Sequence, residues 1–154
     1  MEEKEGDALQ AIMQEPQVMY AYEGPLTDEE VRTWLNRQLE RCARFGFGLW
    51  AVILKETGRV VGQCGLTMQL WKKESVLKIS YLFRWDAWHR GYATEAAQAC
   101  REHAFSVPGV REVCSIVRDT NLASQNVPRR NGMPLKDTWV KRFRGDDMPH
   151  IRLR

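Results

Sequence analysis

Positions 93, 96, 97, 100 and 104 of this chain carry Ala, Ala, Ala, Cys and Ala. At 3.6 residues per turn they share one helical face, and nothing on that face is bulkier than a thiol. A helix with so little bulk lies with its backbone close against the layer it covers. The flanking sequence says what that layer is. Residues 76–83 (VLKISYLF) alternate Leu77, Ile79, Tyr81 and Phe83 against Val76, Lys78, Ser80 and Leu82, and residues 111–118 (REVCSIVR) are again strand-like. Strand, helix and strand over 76–118 imply a parallel pair joined by a right-handed crossover.

Ahead of this unit, residues 5–14 predict a short helix ended by Pro16, and residues 17–25 (QVMYAYEGP) an aromatic-rich loop. Thr27 opens the capping box T-D-E-E with Glu30 at its fourth position. Val31, Trp34, Leu35, Gln38, Leu39 and Cys42 then follow at helical spacing, so 27–44 predicts a second amphipathic helix. Residues 48–55 and 59–68 are strand-like and joined by the tight turn Glu56-Thr57-Gly58. After the central unit come a helix over 121–131 with Gly132 beyond it, and strands over 135–144 and 148–153 about the turn Gly145-Asp146-Asp147. The expected fold is a single α/β domain over 1–154. Its sheet is mixed and mostly antiparallel, with a central splayed parallel pair flanked by helices.

Composition narrows the function classes. Hydrophobic residues make up 44% of 154, enough for a core. The longest apolar run, 49–54, is far too short to span a bilayer, and the acidic start MEEKEGDALQ is unlike a signal peptide. A soluble cytoplasmic protein without membrane partners is expected. Cys42, Cys64, Cys100 and Cys114 are widely separated, with no C-x-x-C and no histidine pair nearby, which points to buried free thiols and to no metal. A net charge of +3 suits an anionic ligand without itself indicating nucleic acid.

The segment WHRGYATEA, Trp88 to Ala96, joins the strand-like run 76–83 to the alanine-faced helix. The first amides of a helix lack internal partners, and the dipole there favours negative charge. With Gly91 permitting close backbone approach, Arg90, Gly91, Tyr92, Ala93 and Thr94 form a candidate pyrophosphate cradle. Glu95 suits that role only if its carboxylate turns outward. Neither G-x-x-x-x-G-K-[ST] nor G-x-G-x-x-G occurs, which excludes a Walker loop and a dinucleotide fingerprint.

Two separated motifs carry a resemblance. Gly91 and Ala93 match the pattern Q/R-x-x-G-x-G/A, with Trp88 in its first position; Asn121, Ser124, Gly132 and Met133 match N-x-x-S followed by G-M. With the strand–helix order, and over roughly residues 7–150, the chain resembles the GNAT superfamily of N-acetyltransferases, in the branch of the ribosomal-protein N-terminal acetyltransferases. The resemblance implies acetyl-CoA as cosubstrate, bound where strands 76–83 and 111–118 splay. It places the pantetheine arm along Leu82, Phe83 and Arg84, the pyrophosphate on the amides from His89 to Thr94, and Asn121 on the pantetheine arm. It makes Ser124 the hydroxyl that protonates the leaving thiolate. Arg84, Arg90, Arg129 and Arg130 are further candidates for the phosphates.

The acceptor implied is a primary amine, of a protein N-terminus or of a small molecule, attacking directly in a ternary complex. The oxyanion formed needs a backbone donor, expected near Leu82. A base must first deprotonate the amine, and Glu15, Glu23, Tyr81 and His103 are all candidates. Met19, Tyr20, Tyr22, Trp34 and Trp71 are candidates for lining the acceptor site, with burial the competing role for Trp34.

The chain departs from the family pattern twice. Pro128 lies inside the helix that begins at Asn121 and cannot donate an amide to the Ser124 carbonyl, which predicts a kink or break near Val127–Pro128. The family's first strand has no counterpart here, so the sheet is expected to lack it and to offer an edge that a second copy could cover as a homodimer. These departures raise one competing function, a catalytically weak acyl-CoA-binding or regulatory module. Arg129-Arg130 and the cluster over 141–144 raise another, a basic nucleic-acid binder, although no nucleic-acid motif accompanies them.

Overall fold

The computed structural model describes residues 3–19, 24–118, 121–143 and 146–153. Helices α1 (Glu3–Met13), α2 (Pro16–Met19) and α3 (Asp28–Phe45) come first. They are followed by β1 (Leu49–Ile53), β2 (Val60–Trp71), β3 (Glu74–Phe83), a single 3-10 turn at Trp85–Ala87, and α4 (Tyr92–Ser106). The chain ends with β4 (Ser115–Arg118), α5 (Leu122–Arg130), β5 (Leu135–Phe143) and β6 (Asp146–Leu153). The element order is the expected one, with two short additions, the 3-10 turn at Trp85–Ala87 and α2. Part of the loop expected over 17–25 is the short helix α2, whose Val18 and Met19 are buried; Tyr20, Tyr22 and Glu23 lie outside the described residues.

Local chemistry explains the boundaries. The Thr27 hydroxyl accepts from Glu30 N at 3.2 Å while Thr27 N donates to the Glu30 carboxylate at 2.8 Å, so the capping box forms as the sequence requires. The β1–β2 turn closes through Leu54 N to Arg59 O at 2.9 Å. Where β1 meets β2 the chains are very close: a methyl at Gly65 would run into the Gly48 carbonyl and the Leu49 Cα. Only glycine fits there.

β1, β2 and β3 form an antiparallel sheet, and β4, β6 and β5 form another in that order, with β6 paired antiparallel to both neighbours. A single parallel bridge, Lys78↔Cys114, links the two. The parallel pair expected from the sequence is therefore one bridge long, and the strand expected over 111–118 shrinks to Ser115–Arg118. Among the described residues α1 is the first element.

The alanine face behaves as its composition requires. Ala97, Cys100 and Ala104 of α4 pack with Cys64 and Leu66 of β2 and Ile79 of β3, joined by Val113 and Val127. Cys64 and Cys100 Sγ approach to 3.5 Å, and all four cysteines are free thiols. That hydrogen bond and burial push the Cys64 thiol well above its ordinary pKa. A second cluster joins Leu9, Ile12, Met13, Val18, Met19 and Val31, with Trp34 and Leu82 packed against it. Side chains alternate along a strand, so Leu82 and that cluster lie on the face of β3 opposite Tyr81 and Phe83.

Candidate active site

The site begins where β3 loses a partner. Along one edge it pairs with β2 without a register shift, from Trp71↔Glu74 to Gly62↔Phe83. On the other edge Ile79 N donates to Cys114 O and Cys114 N to Leu77 O, each at 2.9 Å. Past that bridge no ladder among the described residues joins β3 to β4, and the strands diverge. Backbone polarity alternates along an antiparallel pair. Arg84 N donates to Val61 O on the β2 side at 2.8 Å, which puts Leu82 on that side too. The groups turned to the gap are those of Tyr81 and Phe83, so a backbone donor expected near Leu82 falls on its neighbours.

The loop from β3 to α4 forms the next wall. The Trp88 indole donates to Phe83 O at 3.1 Å and its ring lies 4.7 Å from that of Trp85, which pins the loop to the end of the strand. His89 and Gly91 both take positive φ, 61° and 81°. Open space surrounds the position of a Gly91 Cβ, so within the protein glycine serves the backbone conformation and not a close approach. Gly91 is the N-cap of α4 and makes no side-chain cap hydrogen bond. The helix therefore offers its first amides to an external anion. Thr94 Oγ1 in that first turn is buried without a hydrogen-bond partner among the described residues. Such an orphaned donor fits a polar ligand. Glu95 is exposed and stands outside the cavity lining.

Helix α5 supplies the opposite wall. Asn121 caps it, its side chain accepting from Ser124 N at 3.2 Å. The helix does not break at Pro128 but continues to Arg130. The expected break is therefore absent, and the Ser124 carbonyl, which Pro128 cannot serve, instead accepts from the Tyr81 hydroxyl at 2.5 Å. No hydrogen bond of the Ser124 hydroxyl to another described residue is present.

These walls enclose a cavity of about 110 Å³. Leu82, Phe83, His89, Gly91, Tyr92, Ala93, Thr94, Asn121 and Ser124 all line it. Arg84 and Arg90 do not. Arg84 Nε pairs with Asp86 Oδ1 at 3.1 Å, and Arg90 Nε donates to Asp86 O at 3.3 Å. Arg84, with Arg59 at 2.7 Å from the other carboxylate oxygen, holds the Asp86 carboxyl below its usual range. Of the other candidate arginines, Arg130 reaches the lining and Arg129 does not.

Trp88, the first position of the motif, lines it as well, and so do Val18, Ala87 and Asn126, which lie beyond the residues sequence reasoning selected. Asn126 and Arg130 are four apart on α5, a spacing that would have flagged them as one face. Val18 comes from α2, for which the sequence held no periodic signal. Among the candidate bases Tyr81 lines the cavity, whereas Glu15 and His103 do not. His103 sits in the last turn of α4, edge-on to Trp50 at 5.4 Å. Trp71 is fully buried with Cys114 and Ile116, and so is core and not acceptor lining. Met19 and Trp34 likewise belong to the α1–α3 cluster. The described residues contain no cluster of metal-ligating side chains and no helix long and apolar enough to cross a membrane.

A sheet that splays beside a helix N-terminus without a side-chain cap is shared with solved acetyltransferases. Residues 1–134 match the family model for the acetyltransferase (GNAT) domain. The uncharacterized Bacillus subtilis protein YkkB is 31% identical over 142 residues, 92% of this chain and 83% of YkkB. An acetyltransferase from Agrobacterium tumefaciens has the same fold at a TM-score of 0.80 and 27% identity, covering 99% of this chain and 86% of that one. RimL, a ribosomal L7/L12 alpha-N-protein acetyltransferase solved with coenzyme A, superposes at a TM-score of 0.78 with 17% identity, over 99% and 89% of the two chains. The chain belongs to the GNAT family and is an acetyl-CoA-dependent N-acetyltransferase.

Proposed function

We propose that the chain transfers the acetyl group of acetyl-CoA to a primary amine, of a protein N-terminus or a small molecule, by direct attack with both substrates bound. The observation that carries this reading is the convergence of three features on one cavity: the open edge of β3, the side-chain-free N-terminus of α4 and the Ser124 hydroxyl. In this reading the amides of the His89–Thr94 loop and the Thr94 hydroxyl hold the pyrophosphate, with Arg130 as the nearby cation. Tyr81 and Phe83 offer backbone groups to the pantetheine arm, beside Asn121. The thioester supplies an activated acyl group. The chain's part is to hold that carbonyl against a gap-facing amide, for which Phe83 N–H is the donor we favour. Ser124 then delivers a proton to the departing sulfur as the C–S bond breaks, a base or water chain takes one from the amine, and that proton passes back to Ser124 to reset the site.

The alternative of a catalytically weak coenzyme-binding module rested on Pro128 and on the missing first strand; on the first of these grounds the continuous α5 and the placing of Ser124 on the cavity wall favour turnover instead. Calorimetry with acetyl-CoA followed by a thiol-release assay over a panel of amines and N-terminal peptides separates the readings. Binding with turnover on at least one amine is expected. Binding without turnover on any of them favours the module, and absence of coenzyme binding rejects both.

A further inference from the structure

We infer that Tyr81 is a positioning residue for Ser124, acting in place of the backbone amide that Pro128 removes. The inference rests on the acetyl-transfer reading for what Ser124 does, but its geometry stands alone. In an unbroken helix the carbonyl of residue 124 accepts from the amide of residue 128. Proline has no such amide, and its ring crowds that carbonyl. Pro128 is among the most buried side chains of the molecule, so water does not replace the lost donor from that side. A buried carbonyl left without a donor is costly, and helices respond by bending at proline. Here the donor comes from another element. Tyr81 stands on β3, and its hydroxyl reaches across the cavity wall to Ser124 O at 2.5 Å.

The consequence is mechanical. At its far end α5 is tied to α4: Arg101 donates to Asn131 O at 3.1 Å, and Asn131 Nδ2 to Thr94 O at 3.5 Å. At its near end the first turn is held by the Asn121 cap within the helix itself, and by Tyr81 from the sheet. The strand whose open edge faces the cavity is thus the strand that fixes the height of the Ser124 backbone. Proline and tyrosine form a matched pair: the one removes an internal tie, and the other replaces it with a tie to the acyl-binding strand. The hydroxyl proton is committed to a carbonyl, which sets Tyr81 apart from the candidates for deprotonating the amine.

A double-mutant cycle tests this. Tyr81→Phe removes only the hydroxyl, and Pro128→Ala restores an amide able to serve Ser124 O. Tyr81→Phe is expected to lower kcat about tenfold with KM for acetyl-CoA changed less than about twofold, the pattern of a misplaced reacting group and not of lost binding. Pro128→Ala keeps near-native turnover, and Tyr81→Phe in that background costs less than about twofold. The pH profile of kcat/KM keeps its shape in Tyr81→Phe, because the phenol is not the base. Equal losses of kcat in both backgrounds, or no loss in either, overturn the inference. If the native chain turns over no amine, the acetyl-transfer reading is what has failed, and the melting-temperature cycle decides instead. A drop for Tyr81→Phe that Pro128→Ala erases supports the tie, and additive drops refute it.

Discussion

Gly91 gives the sharpest test of the loop. Its φ of 81° is left-handed, and nothing lies within 4 Å of where a Cβ would stand. Replacement by alanine therefore meets no clash, and the whole penalty is conformational, about 1–2 kcal/mol for an L-residue in this region. For a chain of this length that corresponds to roughly 2–8 °C of melting temperature if the loop keeps its shape. If the loop relaxes to negative φ instead, stability is retained, and acetyl-CoA must restore the cradle on binding. The same free energy then appears as a Kd raised about tenfold, at 1.4 kcal/mol per decade. Asparagine tolerates the left-handed region better, so Gly91→Asn should show a smaller effect than Gly91→Ala by whichever route it appears. Differential scanning fluorimetry and calorimetry on the two variants read both routes. A Gly91→Ala protein unchanged in both melting temperature and Kd would refute the argument that backbone conformation demands this glycine. So would an asparagine variant worse than the alanine one.

Three further outcomes follow from the same geometry. Ser124→Ala should lower kcat about a hundredfold if the hydroxyl is the proton donor, while the melting temperature stays put because no described residue bonds to that hydroxyl. Asn121→Ala removes the α5 cap and should cost about 1 kcal/mol of stability. Asn121→Asp keeps the accepting oxygen and the cap, so loss of coenzyme affinity in both variants, with a melting shift only in the alanine one, isolates the amide's contribution to binding. The Cys64 thiol has a folded pKa raised by its Cys100 contact and by burial above the ordinary value of 9.0. Its protonated form is favoured by folding, so its contribution is complete below pH 9 and is lost as pH rises through the folded value. Melting temperatures should accordingly fall on the alkaline side, and a Cys64→Ala protein should lose that part of the decline.

The elements were legible in the sequence where a local pattern had a local cause. The Thr27 capping box, the Glu56-Thr57-Gly58 turn and the alanine face of α4 each needed only neighbours in the chain. The cavity was legible through its two motifs, and most residues so selected line it. Arg84 and Arg90 diverge because Asp86, between them in sequence, draws both back to the loop. Trp71 could not be sorted from the acceptor candidates without tertiary contacts, since an aromatic at a strand end reads alike whether it faces core or cleft. α2 is a four-residue helix, too short for periodicity to reveal.

The absence of a break at Pro128 shows why helix-breaking rules stop at the helix. Proline removes a donor from residue 124 whatever surrounds it, and that part of the inference held. What happens next depends on whether another group can reach the orphaned carbonyl, and Tyr81 lies 43 residues away in sequence. It also lies on the strand that the splay leaves open, where Leu77, Ile79, Tyr81 and Phe83 share the face covered by α4 and α5 while Leu82 packs against the α1–α3 cluster. The alternation that puts Phe83 beside the Trp88 loop puts Tyr81 beside Ser124. One strand thus positions the loop through a carbonyl and helix α5 through a hydroxyl. A one-residue shift of β3 against β2 would lose both together. The register of β3 is accordingly a determinant of the site, although most of its residues never touch the cavity.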